Sequence, residues 1–179
     1  YSGVTRVIRI WSFESVAELL WSGVDVPGLT LWETAMPSSD VLDRLDAAAG
    51  SSDTLTSARL MSLATAIIAT AMPNKPDFER GTTVADGVSL IRLYGCAMGL
   101  LGPARKVYRP SHPQSIAQLL ANALIGEDAA DARARATQLR AINATLVVCA
   151  DHELSPATFA ARVAASAGAE LRACLHAAI

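Results

Sequence analysis

Residues 150–166 read Ala150-Asp151-His152-Glu153-Leu154-Ser155-Pro156-Ala157-Thr158-Phe159-Ala160-Ala161-Arg162-Val163-Ala164-Ala165-Ser166. Ser155 is a helix-capping residue type, and Pro156 stands at the first helical position, where its missing N–H costs nothing. The spacing predicts a helix from Pro156 that Gly168 interrupts or ends. On the other side, Asp128 or Asp131 opens a helix running to about Ala150, so His152 falls in the turn between two helices. Helix, short turn and capped helix is the pattern of an all-α chain, and the rest of the sequence follows it.

Ser12 caps a helix in which Phe13, Val16, Ala17 and Leu20 keep the i, i+3, i+4, i+7 spacing, ended by Gly23. Ser39 opens a short helix closed by Gly50. Asp53 or Thr54 starts a longer one reaching Ala71, stopped by Pro73 and Pro76. After a surface loop over 74–82, Val84 to Leu101 reads as helical up to Gly102-Pro103. A polar link through Pro110, His112 and Pro113 leads to a helix over Gln114–Ile125, ended by Gly126. Ala169–Ile179 reads as a further helix. Thr5–Ile10, Thr-Arg-Val-Ile-Arg-Ile, alternates as a strand does. The expected fold is all-α, one multi-helical unit over 1–179, with room for a small β element near its start.

Composition supports this. Of 179 residues 51% are hydrophobic and 18% charged, and the apolar share is mostly Ala, Leu and Val. Ala and Leu are strong helix formers, and a chain of this length buries a sizeable core. A net charge of −2 gives no electrostatic reason for nucleic acid or an anionic membrane as partner. Arg133, Arg135 and Arg140 stand beside Glu127, Asp128 and Asp131, which reads as a solvated charged face. No apolar run reaches the ~18 residues of a membrane span. The opening Tyr1-Ser2-Gly3-Val4 lacks a secretory pattern and an initiator Met, so we expect a cytoplasmic protein whose start lies upstream. Cys96, Cys149 and Cys174 are widely spaced and form no CxxC pair, so buried reduced thiols and no metal site are expected.

Three histidines bound the chemistry. His112 sits in the proline-flanked link and reads as solvated; His176 sits on a helix among Ala and Leu and reads as surface or packed. HExxH, P-loop, GxGxxG and GxSxG motifs are absent. His152 differs in standing at the mouth of a capped helix, where the positive end of the helix dipole disfavours an imidazolium. A neutral imidazole still offers one N–H donor, which suits polarising a substrate carbonyl while a separate base removes a proton. Asp151 and Glu153 oppose this by favouring the charged ring, and an ordinary inter-helix turn is the alternative reading.

The run from Ala150 to Ser166 resembles the citrate synthase signature ADHELNASTFAARVxAS. It departs at Ser155 and Pro156, where the family commonly shows Asn-Ala, and at Ala157, where it shows Ser. Ser12-Phe13-Glu14-Ser15-Val16-Ala17-Glu18-Leu19-Leu20-Trp21-Ser22-Gly23 is similar to the family's SFEEVAxLLWxG segment. Tyr1-Ser2-Gly3 is similar to the Tyr-Arg-Gly that precedes it. Order and separation also fit, so the resemblance spans nearly the whole chain and points to the N-terminal half of such an enzyme, the first half of its large domain.

The resemblance implies a Claisen-type condensation of acetyl-CoA with oxaloacetate or a related keto acid, a step of the tricarboxylic acid cycle; a 2-methylcitrate type of activity is equally open. It implies acetyl-CoA as substrate with no cofactor, and a homodimer. The helices over Ser57–Ala71 and Val84–Leu101 would supply the dimer interface or simply the core. It makes His152 the catalytic donor to the thioester carbonyl and leaves the coenzyme-binding residues unassigned. The family's second histidine, in a GPxHGG segment, its aspartate base and its carboxylate-binding arginines come after the region matching Ile179. This chain alone is therefore expected to be inactive. Where the family's upstream histidine is expected, Ser115–Gly126 offers Gln118 and Asn122. The alternative, from another class, is a catalytically silent helical interaction protein of the same fold.

Overall fold

The computed structural model describes residues 10–23, 32, 35–50, 55–71, 82–127, 131–151 and 153–179. Among them are eight α-helices and no strand: α1 Phe13–Ser22, α2 Ser39–Ala49, α3 Ser57–Ala71, α4 Thr82–Ala97, α5 Ile116–Ile125, α6 Ala132–Cys149, α7 Pro156–Ser166 and α8 Leu171–Ala178. A 3₁₀ turn over Met98–Leu100 extends α4. The all-α expectation holds. The strand expected over Thr5–Ile10 is corrected at its end, since Ile10 is helical; residues 5–9 lie outside the described residues.

Helix starts follow cap chemistry. Ser12, Ser38, Ser115 and Ser155 each accept the N–H of the residue three positions on. At α5 the exchange is reciprocal, with Gln118 Oε1 accepting the Ser115 N–H at 3.0 Å, so that helix begins at Ile116, two residues later than Gln114. At α3 the Thr56 hydroxyl accepts the Arg59 N–H at 3.4 Å, placing the start after Asp53 and Thr54, which lie outside the described residues. Gly23 closes α1 in the left-handed conformation, φ 72°.

α4 is the central element, packed against α2, α3, α5 and α8. Leu45 from α2, Leu60 and Ala64 from α3, Leu93 and Cys96 from α4, and Leu119 from α5 are all fully buried in one cluster. A smaller cluster joins Ala17 of α1, Trp32, Val88 of α4 and Ile116 of α5. The buried faces of α3 and α4 thus serve the core. Gly95, Gly99 and Gly102, spaced four and three apart, let α4 and its 3₁₀ extension lie directly on α5 and on the 106–108 segment. Arg92, on α4, is 2% exposed; its guanidinium donates to the Gln114 carbonyl at 3.1 Å and to Met36 Sδ at 3.4 Å.

Candidate active site

The junction of α6 and α7 is built from local turn chemistry. α6 closes at Cys149, where the Ala150 N–H donates to the Val147 carbonyl at 3.3 Å. Asp151 Oδ1 accepts the Glu153 N–H at 2.9 Å, an Asx turn that closes Asp151 onto Glu153. Glu153 has φ 54°, a left-handed conformation that costs a side-chain-bearing residue about 1–2 kcal/mol. The Ser155 Oγ then takes the Thr158 N–H at 3.2 Å, and Pro156 stands at the first position of α7. Asp151, Glu153 and Leu154 are exposed, so the turn meets solvent. His152 itself lies outside the described residues, while both of its neighbours are described.

Full burial is sparse in this region. Val147 is the buried residue of α6, with Leu146 partly buried against the cluster of Ala17, Trp32, Val88 and Ile116, and α7 has none. Polar contacts also fix α6. Asn143 uses both ends of its amide on α1: Oδ1 accepts the Phe13 N–H at 3.0 Å, and Nδ2 donates to the Trp11 carbonyl at 2.9 Å. Arg135, near the start of α6, donates to Asn122 Oδ1 on α5. The start of α1 is tied to α5 as well, because Glu14 Oε1 accepts the Ile116 N–H at 2.6 Å. Asn is a poor interior helix residue, which was the one sequence signal that Asn143 is used. For Glu14, an acidic first-turn residue already explained by the helix dipole, no such signal existed.

A second polar group sits where the link meets α5. The Tyr108 hydroxyl donates to Glu127 Oε1 at 2.6 Å and accepts from Gln114 Nε2 and Asn122 Nδ2, both at 3.1 Å. Burial, and then the hydrogen bond to Glu127, push the Tyr108 hydroxyl above its usual pKa. Arg109 reaches Asp43 at 2.9 Å and Asp46 at 2.8 Å, while Asp46 Oδ1 accepts the Val107 N–H at 2.8 Å. Gln118 and Asn122, the residues standing where a substrate-binding histidine was expected, are thus occupied by a capping box and by this network.

The other titratable candidates are dispersed. His112 is exposed, its Nδ1 3.1 Å from Ser111 Oγ, and His176 is exposed on α8. Cys96 and Cys174 are buried free thiols as expected; Cys149 is exposed, a correction that follows from its place on the solvent side of the last turn of α6. Among the described residues no group of three or more His, Cys, Asp or Glu is placed to hold a metal, and no helix is long and apolar enough to cross a membrane. A cavity of about 400 Å³ is lined by Ser12, Ser115, Gln118, Arg140 and Asn143. An apolar cavity of about 520 Å³ lies between α1, α4 and α8, walled by Trp21, Ile91, Tyr94, Leu171 and Leu175.

Residues 4–179 match the family described as citrate synthase, C-terminal domain. The chain belongs to the citrate synthase family. No individual curated protein matches it. Family membership assigns a citrate synthase-type function in general terms, and its signature run falls on the α6–α7 junction described above.

Proposed function

We propose that this chain is the part of a citrate synthase-like acyltransferase that presents His152 to acetyl-CoA during condensation with oxaloacetate. The observation supporting this reading is the signature run from Ala150 to Ser166, set across a solvent-facing junction at the capped start of α7. A neutral imidazole at such a helix start donates its N–H to the thioester carbonyl oxygen as a carboxylate base takes a methyl proton. The enol so formed attacks the keto carbon, and the resulting citryl thioester is hydrolysed. A preorganised donor at that oxygen is typically worth ~10²–10³ in rate. Acetyl-CoA is a substrate, the reaction asks for no separate cofactor, and a homodimer is the assembly in which we expect it to run.

Residues 1–179 contain no GPxHGG segment. On this reading the carboxylate base and the donor to the keto acid are not supplied by residues 1–179, which alone should be inactive, since such sets act as a unit. The test is thiol release from acetyl-CoA and oxaloacetate by the protein that the gene encodes, compared with its His152→Ala form. A fall of ~10²-fold or more in kcat is expected; equal rates would remove His152 from the mechanism. Replacing acetyl-CoA by propionyl-CoA in the same assay tests a 2-methylcitrate type of activity.

A catalytically silent interaction protein of this fold is the second reading. It is favoured by the exposure of Val148, Leu154, Phe159 and Val163, each at least half exposed around the same junction. Absence of thiol release with either thioester would favour it.

A further inference from the structure

The polar group around Tyr108 has a direction. Arg135, in the first turn of α6, can only donate, and its guanidinium gives to Asn122 Oδ1. That contact fixes which end of the Asn122 amide is which. Nδ2 then faces the link and donates to the Tyr108 hydroxyl and to Gln114 Oε1, both at 3.1 Å. With Oε1 so engaged, Gln114 presents Nε2 to the Tyr108 oxygen, also at 3.1 Å. The hydroxyl oxygen thus receives two N–H groups and has one proton to give, which Glu127 Oε1 takes at 2.6 Å. The other acceptor within reach, Gln114 Oε1, is further away at 3.3 Å and carries no charge. Donors therefore point one way, from a guanidinium on α6 to a carboxylate just past the end of α5. Aligned hydrogen bonds polarise one another, so a chain held between unlike charges is stronger than its separate links.

The middle of this chain is rooted in the core. Gln114 is buried, and its carbonyl accepts Arg92 of α4 at 3.1 Å. The Tyr108 N–H donates to the Cys96 carbonyl of α4 at 2.9 Å. Its two ends lie on either side of the connection between α5 and α6, Glu127 two residues past Ile125 and Arg135 four residues past Asp131. No ion pair joins Arg135 to Glu127, and Tyr108 makes no hydrogen bond to α6. Whatever couples the two charged ends beyond helix packing passes through Asn122 and Tyr108.

We infer that Tyr108 is the centre of a latch that closes the α5–α6 corner onto the link, with Arg135, Asn122, Tyr108 and Glu127 acting as one cooperative unit. Packing between α5 and α6 brings the two helices together; the latch makes the start of α6 and the residues after α5 engage and release together. The inference stands on described side chains alone and is independent of the reaction proposed above.

The test is denaturant unfolding of the 179-residue chain carrying Arg135→Gln, Glu127→Gln or both, each in the wild-type and in the Tyr108→Phe background. Tyr108→Phe keeps the ring and removes the hydroxyl through which the chain runs. In the wild-type background the rise in the unfolding constant of the double variant should be about threefold or more below the product of the two single rises. In Tyr108→Phe the single rises should simply multiply. Equal coupling in both backgrounds would mean attraction through space, and no coupling in either would mean independent contacts; each result would overturn the inference. Asn122→Ala cuts the chain one step earlier and takes the place of Tyr108→Phe should that variant not fold. Hydrogen exchange supplies a second reading: Tyr108→Phe should speed exchange over residues 131–136 while α8 is unchanged. Unaltered exchange at the start of α6 would equally refute the latch.

Discussion

Replacing Gly99 by Ala puts one methyl group where two strands of backbone already meet. A Cβ built at Gly99 lies well inside contact distance of the Lys106 carbonyl oxygen, 2.7 Å from the Tyr108 nitrogen and 3.1 Å from the Tyr108 Cβ. Two of those atoms are main chain and have no rotamer through which to escape. Relief requires the 106–108 segment to withdraw by roughly 1 Å, which is overpacking of the kind that costs about 1–3 kcal/mol. That withdrawal also stretches the bond from the Tyr108 N–H to the Cys96 carbonyl, 2.9 Å, and that from the Val107 N–H to Asp46, 2.8 Å. The first is worth about 1 kcal/mol and the second, made to a carboxylate, about 1.5–3. Ala returns about 1 kcal/mol in helix propensity. The net expectation is a loss of about 2.5–6 kcal/mol, read as a melting temperature lower by roughly 5–24 °C for a chain of this size. Gly95→Ala provides the contrast, because its Cβ meets only the Leu119 side chain. Adding Leu119→Ala should therefore cost less in Gly95→Ala than in the wild type. Circular dichroism melts of the four variants check both statements. A Gly99→Ala protein as stable as the wild type would show that the close approach of α4 to the link is not what that glycine serves.

Two further expectations concern the cysteines. Burial pushes the Cys96 thiol up to about 11, against its ordinary value near 9, with the charges of Arg92 and Arg109 only partly offsetting this. The unfolded chain loses that proton first, so the stabilisation is complete below pH 9 and is lost as pH rises towards 11. Two pH units correspond to about 3 kcal/mol at most. Chemical denaturation at pH 8 and at pH 10.5 should show a smaller difference in Cys96→Ala than in wild type; equal differences would refute it. Thiol labelling at neutral pH should modify Cys149 alone in the folded chain and all three cysteines in denaturant, since Cys96 and Cys174 are buried and Cys149 is exposed. Rapid labelling of Cys96 without denaturant would contradict the packing of α4.

Much of the fold was legible because its punctuation is local. Ser12, Ser155, Asp131 and the glycines at 23, 50 and 126 mark helix ends through hydrogen bonds spanning two to four residues, and the structure uses each of them. Misplaced boundaries have the same origin: at 114–118 several polar residues compete to cap, and the reciprocal Ser115–Gln118 exchange wins over Gln114, whose carbonyl is committed to Arg92. The candidate site was legible only as a motif. The run around His152 resembles a family signature, but the contacts that tie the preceding helix α6 to the start of α1 span 130 and 132 positions, from Asn143 back to Phe13 and Trp11. Periodicity and capping are silent about partners at that separation. Tyr108 was missed for a similar reason, since a lone tyrosine in a polar link gives no hint that Gln114, Asn122 and Glu127 converge on it.

Burial is unevenly distributed along the chain, and this predicts how the site opens. Leu90, Leu93, Cys96 and Ala97 on α4 and Leu119 on α5 lie in the main cluster, at most 2% exposed, so their amides exchange only when that cluster separates. α7 has no buried residue, and Phe159 and Val163 on its outer face are 56% and 50% exposed. Its amides should exchange through local openings that leave α4 intact, at free energies several kcal/mol below that of global unfolding. α6 should fall between the two, because Val147, Leu146 and the bonds from Asn143 to Trp11 and Phe13 all oppose its release. Asn143→Ala should then bring α6 exchange close to that of α7 while α4 exchange barely changes, a pattern hydrogen-exchange mass spectrometry reads helix by helix. Protection of α7 equal to that of α4 would mean that something other than the described core holds the His152 junction.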